Sequence, residues 1–162
     1  MKILAIILML IFSLVACEST FTSTSNGMAP FLQDGEKFVV DKNYYQDHPV
    51  TRGDVILFKV EDTKKYVKRV ISLPGETIEY KNDILYINNN PIDEPYLAEY
   101  KLEAKQDKTL QITGDFGPYT IPQGEVFVLG DNRRNSLDSR FLGSIKMEHI
   151  IGKVVRKISS NQ

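Results

Sequence analysis

The amino-acid sequence predicts a mostly β protein with little helix, folded as a barrel or a sandwich. Short runs of β-branched and aromatic residues recur along the chain, and turn residues separate them at intervals of about 8–12 residues. Hydrophobic residues make up 42% of the 162 residues and charged residues 25%, which is ordinary for a globular protein. A chain of this length can bury one core, and no internal repeat divides it, so one domain is expected.

Each predicted strand is a run of residues that favour the extended conformation, bounded by Gly, Pro, Asn or Asp. The predicted strands cover residues 37–41, 54–60, 66–71, 77–80, 84–88, 119–122, 125–129 and 152–158. Residues 81–83 separate two of these runs and predict a hairpin turn. The polar stretch over residues 130–139 predicts a long turn.

Helix is predicted at only one place, where Ser144 can cap a short helix over residues 145–150. Residues 96–107 are rich in Ala, Leu, Glu and Lys, and the sequence leaves open whether they form a helix or a solvated excursion. Residues 43–53 are expected to form a loop.

Lys68 lies within the strand predicted over residues 66–71. Side chains alternate across a strand, so Tyr66, Lys68 and Val70 share one face. If that face is the core face, burial disfavours the ammonium form, lowers the pKa of Lys68 and makes it a candidate general base. The alternative is a lysine at a sheet edge with its amine in water.

The composition excludes several function classes. A net charge of -1 gives no reason to expect nucleic acid as a partner. The single Cys excludes an internal disulfide, and no Cys/His cluster predicts a zinc site. His48 and His149 lie far apart in the sequence and are expected at the surface. No metal or other cofactor is predicted.

The first seventeen residues predict an export signal. Residues 3–16 contain Ser13 as their only polar residue, and this run is shorter than the ~20 apolar residues that span a bilayer. Residues 14–17 (LVAC) resemble a bacterial lipobox, in which Cys17 is lipidated and becomes the mature N-terminus. The alternative is a short uncleaved membrane anchor. Either way, the rest of the chain is expected to be tethered at the extracytoplasmic face of the bacterial cell membrane.

The Ser/Thr-rich residues 18–24 predict a linker, and the β domain is expected over residues 25–158. Within that range three stretches resemble the motifs of bacterial type I signal peptidases in order, spacing and wording. They are residues 27–32 (GMAPFL), residues 52–55 (RGDV) with 66–76 (YVKRVISLPGE), and residues 130–140 (GDNRRNSLDSR). The resemblance implies a mostly β catalytic domain at the membrane, with coiled sheets around a shallow apolar groove. It also implies removal of signal peptides from exported proteins.

The resemblance assigns a Ser/Lys dyad to the site. In this family a serine hydroxyl attacks the peptide carbonyl, and a neutral buried lysine takes its proton. On this match Lys68 is the general base and Ser136 carries the hydroxyl that orients its amine. Asp138 and Arg140 match an ion pair that supports the site.

The sequence departs from the family at the nucleophile. The family has Ser directly before Met-x-Pro, and here that residue is Gly27, which has no side chain to attack with. Ser25 matches a position that supplies an oxyanion-stabilising hydroxyl in some members. In an extended segment the Cα atoms of Ser25 and Gly27 lie about 6–7 Å apart, so Ser25 is far from the attack position. Phe31 also stands where the family commonly has Thr.

Three functions remain open on the sequence. The first is a catalytically impaired relative that binds signal peptides or extended segments of exported proteins at the membrane surface without cutting them. The second is an active peptidase that uses Ser25, or a sequence altered at residue 27. The third is a non-enzymatic envelope lipoprotein that uses the fold as an interaction module.

Overall fold

The computed structural model describes residues 18–61 and 64–158. Within them the chain forms eleven β-strands and three short α-helices. The strands are β1 (Glu18–Thr22), β2 (Lys37–Asp41), β3 (Val55–Lys59), β4 (Lys65–Ser72), β5 (Thr77–Lys81), β6 (Ile84–Ile87), β7 (Asn90–Ile92), β8 (Phe116–Thr120), β9 (Glu125–Leu129), β10 (Ile145–Lys146) and β11 (Ile150–Ile158). The helices are α1 (Tyr44–Asp47), α2 (Ala98–Gln106) and α3 (Ser139–Leu142), and 3₁₀ turns cover Pro95–Leu97 and Met147–His149.

The strands form two antiparallel sheets, which confirms the mostly β prediction. The larger sheet has seven strands in the order β1-β2-β11-β3-β4-β9-β10 and curls into a half-barrel. The smaller sheet has four strands in the order β7-β6-β5-β8. The chain passes between the sheets at the β4–β5 and β8–β9 connections. The smaller sheet therefore continues from β4 and β9, which are neighbouring strands of the larger sheet.

The centre of the large sheet buries apolar residues on both faces. Ile56 and Val70 pack in one core cluster, and Leu57 packs in another on the opposite side of the same strands. This follows from the alternation of side chains along β3 and β4, because consecutive residues point to opposite faces. A third cluster fills the smaller sheet around the fully buried Tyr80.

The expected linker over residues 18–24 is wrong for its first part, because Glu18–Thr22 form β1. This strand pairs with β2 over five residues, from Glu18 opposite Asp41 to Thr22 opposite Lys37. Phe21 stacks on Phe38 with ring centroids 5.9 Å apart. Thr favours the extended conformation, and Phe21 packs against the core cluster that contains Phe38. The polar composition of the segment does not indicate either contribution.

The helix predicted over residues 145–150 is also wrong. Ile145–Lys146 form β10, in which the buried Ile145 lies opposite Val126 of β9, and a 3₁₀ turn follows. The helix of this region is α3, which begins at the last residue of the stretch predicted to be a turn, and the Asp138 side chain caps it by accepting from the Arg140 amide.

The remaining differences are smaller. Residues 98–106, left open by the sequence, form helix α2, which buries no side chain. The expected loop over residues 43–53 contains the single helical turn α1, and the strand predicted over residues 119–122 begins earlier, as β8. Within residues 18–61 and 64–158, no helix is long and apolar enough to cross a bilayer.

Candidate functional site

Lys68 lies on the core face of β4. It sits opposite Ile56 of β3, on the same face as Tyr66 and Val70, and only 4% of its surface is exposed. The edge-exposed alternative is therefore wrong. Burial lowers the pKa of Lys68, and this effect outweighs the opposing influence of the Asp138 and Asp131 carboxylates.

Gly27 lies directly beside the amine of Lys68. A β-carbon at Gly27 would be 3.3 Å from Lys68 Nζ, 3.6 Å from the Asn135 carbonyl oxygen and 3.7 Å from Ser136 Oγ. Its φ is outside the left-handed region, so the backbone does not require glycine here. A side chain at residue 27 would thus point at the base.

Ser136 reaches the same point from the loop that follows β9. Its Oγ atom is buried and has no hydrogen-bond partner among the described residues. The hydrogen bond by which Ser136 is expected to orient the Lys68 amine is therefore not formed in this structure. The hydroxyl is instead a free donor, 3.7 Å from the β-carbon position of Gly27.

The loop that carries Ser136 is packed tightly on the Gly27 segment. The backbone amide of Asn132 donates to the Gly27 carbonyl at 3.2 Å, and the Asn132 side chain donates to the Asn26 carbonyl at 3.2 Å. A β-carbon at Gly130 would collide with Ser136 Oγ and the Gly27 carbonyl. Only glycine at residue 130 lets the two backbones approach this closely.

Asp138 and Arg140 form a bidentate ion pair, with Arg140 Nε and Nη2 each 2.9 Å from a carboxylate oxygen. The Asp138 carboxylate is fully buried and also accepts from the Gly130 amide at 3.1 Å. Arg140 in turn donates to the Arg133 carbonyl at 2.6 Å. These contacts tie both ends of the Ser136 loop together.

Two further buried ion pairs hold the site, and the sequence reasoning did not single them out. Arg69, next to Lys68, forms a bidentate pair with Asp131 at 2.8 and 2.6 Å. Arg133 pairs with Glu94 at 2.5 Å and donates to the hydroxyl of Tyr80 at 2.6 Å. The partners in each pair are distant in the sequence, so no local pattern predicts the pairing. The one sign of a role in the site is that Arg69, Asp131 and Arg133 lie inside the long matched motifs.

Ser25 is exposed and does not occupy the position of the missing nucleophile. Its Oγ atom accepts a long hydrogen bond of 3.5 Å from the Gly27 amide. It is not among the three atoms nearest to the β-carbon position of Gly27. The structure thus places its hydroxyl beside a backbone donor at the rim of the site.

A groove of about 310 Å³ leads to Lys68. Its lining includes the apolar residues Met28, Phe38 and Leu57, and residues 22–25 contribute four hydroxyl groups. Residues 65–68 of β4 also line the groove, and among the described residues they pair with β3 alone, because the pairing with β9 begins at Arg69. The groove therefore offers a free strand edge beside the lysine.

Expectations from the sequence also concern Cys17, His48, metal binding and Phe31. Cys17 is outside the described residues. His48 stacks on Tyr44 at the surface, with ring centroids 4.4 Å apart. In the described part of the chain, no group of three His, Cys, Asp or Glu side chains is placed to hold a metal ion. Phe31 packs beside the core cluster that contains Met28, with Arg69 5.2 Å from its ring.

Comparisons with known proteins agree with this architecture. A family model described as signal peptidase, peptidase S26, matches residues 1–158. Signal peptidase I of Bacillus caldolyticus is 44% identical over 142 residues, which cover 84% of this chain and 76% of that protein. A signal peptidase I of Bacillus amyloliquefaciens is 49% identical over 129 residues, which cover 78% of this chain and 66% of that protein.

A solved structure shares the fold. The crystal structure of a signal peptidase I from Enterococcus faecalis aligns with a TM-score of 0.61 at 38% identity, over 67% of this chain and 98% of that one. The curled sheet implied by the sequence resemblance is thereby confirmed.

Proposed function

This chain belongs to the signal peptidase family, and from that premise we propose that it is a relative with impaired catalysis that binds extended peptide segments of exported proteins. In this role the chain has a peptide-binding groove and a general base, but no nucleophile for peptide cleavage.

One observation carries the proposal, namely that the residue beside the Lys68 amine is Gly27. The 3.3 Å between its β-carbon position and Lys68 Nζ is the separation at which a serine hydroxyl could reach the base. Glycine provides no oxygen there. Members of a catalytic unit act together, so the loss of the nucleophile alone removes nearly all of the rate enhancement.

The rest of the site supports retained binding. The Lys68 amine is buried with a lowered pKa, as a neutral base requires. The free edge of β4 can add an extended peptide as a further strand, with alternate side chains directed towards the apolar residues that line the groove. We propose that this peptide is a signal-peptide segment, because the relatives are named as signal peptidases.

A second candidate function, an active peptidase with Ser25 as nucleophile, has one contact in its favour. Ser25 lines the same groove as Lys68 and its hydroxyl contacts the Gly27 amide. That contact suits a group that stabilises an oxyanion near Gly27 better than one that attacks. A misplacement of about 1 Å already costs roughly 100-fold in rate, which weakens this candidate.

We also propose that the chain is held at the extracytoplasmic face of the membrane, as a lipoprotein through Cys17. The sequence of residues 14–17 supports lipidation, and the short apolar run before it supports an export signal. If neither peptide binding nor cleavage is found, a structural envelope lipoprotein is the remaining function.

The test is titration of a fluorescent signal-peptide segment into the full-length protein in detergent, followed by mass spectrometry of the peptide. We expect saturable binding and an intact peptide after prolonged incubation. Cleavage that stops in Ser25→Ala would establish the second candidate, and no binding at high concentration would leave the structural role.

A further inference from the structure

The groove that leads to Lys68 is cationic. Among the described residues, its lining includes two lysines, Lys65 and Lys68, and no acidic side chain. Lys68 is the buried one, whereas Lys65 is exposed at the start of the same strand. Each residue of a strand advances the chain by about 3.3 Å, so the two positions are about 10 Å apart along β4. A cleft lined by charges of one sign attracts ligands of the opposite sign.

A third lysine reaches the Lys65 end of the groove from another strand. Lys42 directly follows β2, and its Nζ atom lies 5.9 Å from the centroid of the Phe21 ring. Lys65 Nζ lies 5.7 Å from the same centroid, and Phe21 lines the groove. An aromatic ring attracts a cation without cancelling its charge, so both charges remain available to a ligand at this end.

These two lysines differ from other cations of the large sheet. Three of those have a carboxylate partner: Lys64 pairs with Glu61 at 3.2 Å, Arg156 with Glu18 at 3.1 Å and Lys153 with Asp54 at 2.7 Å. In the described part of the chain, neither Lys42 nor Lys65 takes part in an ion pair. A carboxylate placed beside the Phe21 ring would therefore be attracted by both amines.

We propose that Phe21, Lys42 and Lys65 form a subsite that selects peptides with an aspartate or glutamate side chain at this end of the groove. The inference rests on the proposed function, since it needs the groove to hold a peptide. It deepens that function by naming a chemical feature of the preferred peptides.

Strand alternation determines which peptide residue reaches this subsite. Lys65 and Val67 lie on the same face of β4, and Val67 packs beside the apolar cluster that contains Met28 and Leu57. In a peptide added to the edge of β4, side chains two residues apart share a face. When one peptide side chain lies beside Val67, the side chain two residues away lies beside Lys65. The carboxylate is therefore expected at a single position of the peptide.

The exposure of the two lysines makes the selection dependent on salt. Charges are screened over about 10 Å at 0.1 M salt and over about 3 Å at 1 M salt. The preference for a carboxylate should thus be largest at low ionic strength. Contacts of the peptide with the apolar lining do not weaken in this way, so the two contributions can be separated.

The experiment replaces each position of a fluorescent signal-peptide segment in turn with Asp or with its uncharged isostere Asn. Fluorescence anisotropy with the full-length protein in a nonionic detergent gives the dissociation constants. At low salt we expect the Asp peptide to bind about five- to tenfold more tightly than the Asn peptide at one position, and about equally at the others. At 1 M salt the ratio should fall below about twofold.

Three variants test which side chain is responsible. Lys65→Met should reduce the ratio to about twofold, because only Lys42 then remains. Lys64→Met is the matched control, since it removes the same charge from a neighbouring side chain that pairs with Glu61 and does not line the groove, and the ratio should stay unchanged. Lys65→Glu should reverse the selection, so that a peptide with lysine at this position binds more tightly than one with Asp.

Equal binding of the Asp and Asn peptides at every position would overturn the inference and leave the peptide-binding function intact. A preference fully retained in Lys65→Met would overturn it as well, because the attraction would then arise elsewhere. Equal binding, together with stronger attachment of the natural chain than of Lys65→Met to phosphatidylglycerol vesicles, would assign the lysines to the membrane surface instead. If no peptide of the series binds, the peptide-binding function fails and the inference fails with it.

Discussion

The Lys68 amine lies 3.3 Å from the position that a β-carbon of Gly27 would occupy. Lys68 belongs to β4, and Gly27 lies in the connection between β1 and β2. The Gly27 segment is hydrogen-bonded to the loop that also carries Ser136. Lys68 is buried and its pKa is lowered, whereas Gly27 has no side chain that could react.

Replacing the buried lysine should stabilise the protein. Burial disfavours the charged amine, and Lys68→Met puts an apolar chain of similar length in its place. We expect a gain of about 1–2 kcal/mol in the free energy of unfolding, the usual size of a favourable substitution. Urea unfolding measures it, with Lys65→Met as the control at an exposed position of the same strand.

The stability gained by Lys68→Met should become smaller at high pH. The pKa of Lys68 is lower in the folded than in the unfolded chain, so the unfolded state binds more protons between the two values. The natural protein therefore gains stability as the pH rises through the folded pKa, up to about 10.4, the usual lysine value. If the difference in unfolding free energy between the natural protein and Lys68→Met stays constant from neutral to alkaline pH, the pKa of Lys68 is not lowered by folding.

Loss of the Asp138 carboxylate should destabilise the Ser136 loop and the whole fold. Asp138→Ala leaves Arg140 without its partner and the Gly130 amide without its acceptor. We expect a cost of about 3 kcal/mol, typical of breaking a buried pair. Glu103→Ala, which removes an exposed pair with Arg134, should cost less than about 1 kcal/mol. Equal urea midpoints for the two variants would show that the buried pair is not needed.

Two glycines of the site should respond differently to alanine. At Gly130 a β-carbon would collide with Ser136 Oγ and the Gly27 carbonyl, so Gly130→Ala must push the two segments apart. We expect it to cost about 1–3 kcal/mol, as overpacking does. Gly27→Ala has a normal φ and its nearest neighbour is the end of a flexible lysine, so thermal unfolding should hardly change.

The N-terminal prediction concerns Cys17. If residues 14–17 are a lipobox, native membranes should contain a chain that begins at a lipidated Cys17, and Cys17→Ala should accumulate as an unprocessed precursor. Mass spectrometry of the membrane-extracted protein distinguishes the two forms. An intact and unmodified N-terminal segment in native membranes would favour a membrane anchor instead.

The sequence predicted which residues lie together in the site better than it predicted the strands and ion pairs around them. Strand alternation left open whether Lys68 faces the core, and the resemblance of the long motifs assigned it to a buried site together with Gly27, Ser136 and Asp138. The structure adds what depends on contacts between distant residues, such as the Arg133–Glu94 pair and the close approach at Gly130. The β1 strand was missed because its pairing with β2, not its composition, decides its conformation. The Ser136 hydroxyl has no hydrogen-bond partner in the described part of the chain, and this too depends on its position and not on its residue type.

The most direct test of the account is an endopeptidase assay of Gly27→Ser on a signal-peptide substrate, beside the natural chain. The account predicts no cleavage by the natural chain and cleavage by Gly27→Ser at least about a thousandfold above that background, since the nucleophile is the missing member of the unit. The rate should rise with pH as Lys68 loses its proton, and the double variant Gly27→Ser with Lys68→Ala should be inactive because the serine then has no base. A folded Gly27→Ser protein that binds the peptide but does not cut it would contradict the claim that the site lacks only its nucleophile, as would cleavage by the natural chain that Ser25→Ala abolishes.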